Sequence, residues 1–190
     1  MTAPQDKTQH ELLQERAAAV DLRAYHLHLD LTEVLDSPTY RVTTRLELSS
    51  SEPELFLDYL GESVAEVKVN GTPQEVDFDG SIIRLHGLPV GEQLTIEVTS
   101  HSRYSRTGQG LHRMHDQADD ATYLYSHLEP SDARRIFPCL EQPDLKAVFH
   151  VRMTAPKKWE ILSNQPEVER HEEGELATVT FAPTPPLSTY

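Results

Sequence analysis

In two segments between residues 24 and 48 apolar side chains fall on every second position, and that period constrains the fold more than any other feature of the chain. In "AYHLHLDLTEV", Leu27, Leu29 and Leu31 share one face while His26, His28 and Asp30 share the other. In "TYRVTTRLELS", Tyr40, Val42, Thr44, Leu46 and Leu48 alternate with Arg41, Arg45 and Glu47. A clean apolar/polar alternation marks antiparallel sheet with one face on a core and the other in water. Turn chemistry then divides the chain at short intervals. Asn70-Gly71 and Asp79-Gly80, residue types that tolerate positive φ, separate "AEVKV", "QEVDF" and "SIIRLHG". A further strand, "EQLTIEVTS", follows Gly91. With no long helical pattern between them, such strands predict an all-β domain: an antiparallel saddle-like or sandwich assembly rather than βαβ units.

Residues 1–7 read as a polar tail. Thr8 and Glu11 have capping-box spacing, and Leu13, Ala17 and Val20 follow at helical intervals, predicting a short N-terminal helix with a thin apolar stripe. Residues 8–190 read as one domain. At this length about 70% of the unfolded chain's surface can be buried, so the core needs no disulfide. "YSRTGQGLHRMHDQADDA", residues 104–121, interrupts the strand pattern and is predicted as a long loop, either functional or packed against something absent. Strand character returns at "TYLYSHLE", "KAVFHVRMTAP" and "ELATVTFAP", and residues 183–190 resemble the start of a further strand.

The chain carries 17 Lys and Arg against 31 Asp and Glu, a net charge of −14. That argues against nucleic acid and anionic lipid as partners, both of which need clustered cations. It is compatible with an amine-bearing ligand. Cys139 stands alone, so no intrachain disulfide is expected; there is no signal-peptide pattern and no apolar run long enough for a membrane span. A cytoplasmic protein is the expectation. Two histidine groups invite a metal: His26 and His28 with Asp30, and His112 and His115 with Asp116, Asp119 and Asp120. A closed site wants four directed ligands. A solvated sheet face and an exposed polar loop account for these groups better. No serine sits on a nucleophile elbow, Gly108-Gln-Gly110 is too short to cradle phosphate, and no HExxH helix is present.

The densest stretch is "YLYSHLEPSDARRIFPCLEQPDLKA", residues 123–147. Pro130 cannot donate a ladder hydrogen bond, so the strand must end or bend beside Glu129. A carboxylate at a strand end is carried to a rim, where ligands are commonly met. Arg134 and Arg135 are placed to pair with Asp132 or Glu141, and Pro138 and Pro143 stiffen the segment beyond them. On composition alone a salt-bridged corner is the better reading than a binding site.

This stretch, extended from Gly108 to Asn164, closely resembles the N-terminal domain of zinc aminopeptidases of the aminopeptidase N type, the gluzincin family. The family pattern, Q-x-E-P-x-D-A-R-R-x-F-P-C-x-D-x-P followed by K-A-x-F, is matched most closely in its actinobacterial form, and the likeness continues into "FAPTPPLSTY". The resemblance implies a saddle-shaped β domain lying against a thermolysin-like catalytic domain. It implies that Glu129 binds the free α-amino group of a peptide substrate, with His127 lining the same subsite. His127 departs from the family's Gln, and an imidazole can change charge near neutrality where a carboxamide cannot. Glu141 stands where the family has Asp. A protonated amine about 4 Å from a carboxylate gains roughly 4 kcal/mol at an effective dielectric near 20, before desolvation. Anchoring the amine would position the first peptide bond over the metal. Zinc, its ligands and the general base are expected beyond Tyr190. These residues are therefore expected to contain no catalytic group, to hold no metal and to be inactive alone. Two other readings are a non-catalytic relative acting as a protein-interaction scaffold and a free-standing β-sandwich binding module.

Overall fold

A computed structural model describes residues 9–190. The predicted polar tail and the capping Thr8 lie outside the described residues. Helix α1 (Gln9–Ala19) leads directly into β1 (Val20–Asp30), followed by β2 (Thr39–Ser50), β3 (Leu55–Asp58), β4 (Ser63–Val69) and β5 (Thr72–Gln74). Next come β6 (Asp77–Phe78), β7 (Ile82–Leu85), β8 (Gln93–Arg103), β9 (Gly110–Asp116) and β10 (Ala121–His127). A 3-10 turn (Ala133–Arg135) precedes β11 (Val148–Pro156), β12 (Glu167–Glu173) and β13 (Leu176–Phe181).

Eight strands form one large sheet in the order β12-β13-β11-β1-β2-β8-β4-β5. A three-stranded sheet, β3-β7-β6, and the β9–β10 ribbon are separate from it. The all-β expectation holds, with one correction to its antiparallel character: β1 and β11 run parallel, pairing Ala24 with Val148 through Asp30 with Thr154. Parallel neighbours need a crossover connection, and here everything from β2 to β10 serves as one.

The alternation in β1 and β2 sorts the side chains as expected. Leu27, Leu29, Leu31, Tyr40, Val42, Leu46 and Leu48 are buried, and they join Leu57, Ile83, Ile96, Leu140 and Phe149 in one core. Each such side chain, fully buried, contributes about 1.5–3 kcal/mol relative to exposure. On the outer face the register aligns His150, His26, Arg45, Glu97 and Lys68 across five strands. The His26 and His150 rings stack with centroids 4.3 Å apart.

Asn70 (φ 50) and Gly71 (φ 79) close a two-residue hairpin between β4 and β5. At the second predicted turn only Gly80 is at positive φ; Asp79 acts through its carboxylate, which accepts from Ser81 and from the Ile82 N–H.

Three expectations need correction. The predicted loop at 104–121 contains β9, paired with β10 from Asp116↔Ala121 to Gly110↔His127. The ribbon has no third strand, and β9 buries only its first two residues, Gly110 and Leu111, so its sequence lacks period two. "QEVDF" is not one strand: its first residue ends β5 in the large sheet, and its last two form β6 in another. In α1 the buried side chain is Arg16, while Leu13 and Ala17 are only half-buried and Val20 belongs to β1. β12 has no counterpart among the predicted strands, since all seven of its residues are exposed. It is one edge of the large sheet, and β5, carrying Pro73, is the other.

Candidate functional site

β10 delivers the two predicted site residues to a rim. Its outward positions, Tyr123, Tyr125 and His127, are exposed, and Glu129 follows two residues after the strand ends. The Glu129–Pro130 peptide is cis. No hydrogen bond or ion pair joins the Glu129 carboxylate or the His127 imidazole to another side chain among the described residues.

The ribbon that carries them is tied down at several points. Arg113 donates from Nη1 to the carbonyls of Val34 and Ser37, both at 2.6 Å, and its guanidinium lies 4.6 Å from the Tyr104 ring centroid. Gly108 N–H donates to His112 Nδ1 at 2.9 Å, and His112 packs on Tyr125 at 4.8 Å. Gly110, opposite His127 in the ladder, sits at φ +63, and a Cβ there would lie 2.9 Å from Arg135 Cβ. Arg135 can therefore close over the ribbon only because this residue is glycine.

Beyond Glu129 the chain enters a saturated corner. Asp132 N–H donates to Leu128 O at 2.8 Å, and its buried carboxylate accepts from Arg135 Nε at 2.6 Å. The Glu141 carboxylate accepts from Arg134 N–H at 2.8 Å and from the Thr189 hydroxyl. The expected pairing of Arg134 with a carboxylate thus occurs through its backbone; its guanidinium donates instead to Ser131 O at 2.9 Å. Cys139 exchanges backbone hydrogen bonds with Asp58 at 2.7 and 3.1 Å, and Leu140 N–H donates to Tyr25 Oη at 2.9 Å. Burial, then the charges of Glu141 and Asp58, push the Cys139 thiol well up, so it stays protonated and is no nucleophile.

Neither histidine group assembles a metal site. Among the described residues no three His, Cys, Asp or Glu side chains are placed to hold an ion. His26 meets Glu47 at 2.9 Å and Arg45 at 3.0 Å, His28 meets Thr154 at 2.9 Å, and His115 faces Asp120 at 3.3 Å. A zinc ion therefore finds no ligand set in these residues. No described helix is long and apolar enough to cross a membrane.

An apolar groove of about 750 Å³ lies between the core face of the large sheet and β10. Leu29, Leu124, Phe149, Met153 and Trp159 line it, and its wall includes Ser126 and Leu128 but not His127 or Glu129. The lining also takes in Tyr123 and Tyr125, which share the His127 face of β10, so the apolar groove borders the charged rim. Sequence periodicity does not reveal the groove, because the residues on its far wall come from irregular chain after β11.

The sequence profile of the Peptidase M1 N-terminal domain matches residues 24–190. The chain belongs to that family. It is 38% identical over 184 residues to aminopeptidase N of Streptomyces lividans, covering 95% of this chain and 21% of that protein. It is 28% identical to the tricorn protease-interacting factor F2 of Thermoplasma acidophilum, covering 89% of this chain and 21% of that protein. The chain thus spans about a fifth of the length of these curated relatives. Among solved structures, a two-domain M1 zinc metallopeptidase bound to L-arginine superposes with a TM-score of 0.77 at 23% identity, over 90% of this chain and 40% of that one. The M1 zinc metallopeptidase of Deinococcus radiodurans gives 0.75 at 24%, over the same shares. At such identities these two likenesses establish the fold.

Proposed function

We propose that residues 8–190 are the N-terminal domain of a cytoplasmic zinc aminopeptidase, and that Glu129, with His127 beside it, binds the α-amino group of the peptide substrate. One observation carries this reading. In a corner where Asp58, Asp132 and Glu141 are all engaged, the Glu129 carboxylate is exposed at a strand end and has no partner among the described residues. Folding has no use for that charge, and a protonated amine would meet it. A fold neighbour that holds a free amino acid, L-arginine, is consistent with recognition of an α-amino group.

Zinc and the hydrolytic groups belong, on this reading, to a downstream domain, as the greater length of the relatives suggests. The apolar groove beside β10 offers that domain a surface to pack on. The contribution of these residues is positional: they hold the amine so that the first peptide bond, and no later one, is presented.

The test is Glu129→Ala in the protein with its downstream domain. Loss of an otherwise paired charge predicts a fall in kcat/KM equivalent to about 2–4 kcal/mol. Unchanged kinetics would remove Glu129 from the site. Downstream sequence lacking HExxH would overturn the enzyme reading in favour of a scaffold.

A further inference from the structure

Arg16 is a charged side chain buried to 4% residue exposure on α1, in a segment that lies before the family profile begins at residue 24. Its Nη1 donates to Asp58 Oδ2 at 2.7 Å and to Phe56 O at 3.3 Å, its Nε donates to Gln142 Oε1, and its guanidinium lies 4.3 Å from the Phe56 ring centroid. Gln142 returns a bond to the same helix, from Nε2 to Leu13 O at 3.0 Å. Taking such a charge out of water is unfavourable unless its geometry is used.

The contacts of Arg16 lead to the Glu129 corner. The Asp58 oxygen that meets Arg16 also accepts Glu141 N–H at 2.9 Å. The Glu141 carboxylate in turn accepts Arg134 N–H, where the 3-10 turn after Glu129 begins, and Leu60 N–H donates to Arg134 O at 2.7 Å. Each member is fixed by the one before it: guanidinium, Asp58 carboxylate, Glu141 backbone and carboxylate, turn. We propose that Arg16 is a positioning residue that clamps α1 to this corner and so fixes the direction of the Glu129 carboxylate. The proposal rests on the reading in which Glu129 binds the substrate amine.

Two measurements test it. In the 190-residue chain, Arg16→Met should speed hydrogen exchange at the Arg134 and Glu141 amides by about tenfold or more, leaving the β2–β8 ladder unchanged. Retained protection at both amides would overturn the proposal. If Arg16→Met does not fold, the pair Arg16→Met with Asp58→Asn removes both charges and is read the same way. In the longer enzyme, Arg16→Met should raise KM about tenfold with little change in kcat, as expected for weaker binding of substrate and transition state alike. Arg16→Lys should restore part of the loss. The Arg16→Met effect should vanish when Glu129 is already Ala, because the residue acts through Glu129. An equal loss in both backgrounds overturns the positioning role while leaving the amine site standing. A silent Glu129→Ala overturns the amine site itself.

Discussion

The rim and the corner of the 123–147 stretch differ in what their charges do. Asp58, Asp132 and Glu141 each accept hydrogen bonds from groups the fold brings to them, and the corner they build is largely buried. Glu129, three residues before Asp132, touches nothing charged among the described residues and faces solvent. The lesson is that residues of the same chemistry, packed into one motif, can be divided between holding and presenting. A fold uses its paired charges for rigidity, and the unpaired one is free for a ligand.

Removing a charge from the corner should have the largest effect. Asp58→Ala leaves the Arg16 guanidinium buried without its carboxylate and should destabilise the domain by about 3–5 kcal/mol, read from the urea midpoint. Next comes Gly110→Ala, which forces a methyl against Arg135 at positive φ; a loss of about 2 kcal/mol is expected by the same measurement. Glu129→Ala marks the other end of the scale. Its stability should stay within about 0.5 kcal/mol of the parent, as for any exposed side chain without partners. A large loss there would mean that the rim is part of the corner after all.

The outer sheet face supplies a smaller, pH-dependent test. Burial first, then Arg45 and the stacked His150, lowers the His26 pKa below the ordinary 6.5, against an opposing pull from Glu47. The unfolded chain therefore binds a proton that the folded chain resists. His26 imposes no penalty above the ordinary value, and a growing one as pH falls from there through its lowered folded value. Stability should decline with acidification through that window. His26→Gln should flatten the decline when urea midpoints at about pH 5 and about pH 7.5 are compared. An unchanged slope would assign the acid sensitivity to other groups.

The features legible in the sequence are those that repeat locally. β1, β2 and β8 announce themselves because each has one wet and one dry face, and Asn70-Gly71 because its backbone conformation excludes most other residues. β9 and β12 give no such signal, since a strand with no consistently buried side has no period to show. Arg16 carries no local sign of burial because its partner, Asp58, lies 42 positions away. The parallel β1–β11 pairing is hidden for the same reason: it joins segments separated by most of the chain. Glu129, the residue proposed to bind the amine, is singled out by its place in a long family pattern. Composition points instead to the salt-bridged corner, which is real, but is built by Asp132, Arg135 and Glu141.

The two margins of the large sheet bear on how the protein behaves at high concentration. Unpaired backbone groups along an open edge invite a second chain to add itself as another strand. Here one margin is β12, "EVERHEE", with four glutamates and every residue exposed, and the other is β5, "TPQ", where proline withholds a donor. Two copies approaching side by side meet like charge at one margin and an interrupted ladder at the other. The net charge of −14 reinforces that repulsion at longer range. Neutralising the glutamates of β12 should therefore do little to the fold and much to its tendency to polymerise.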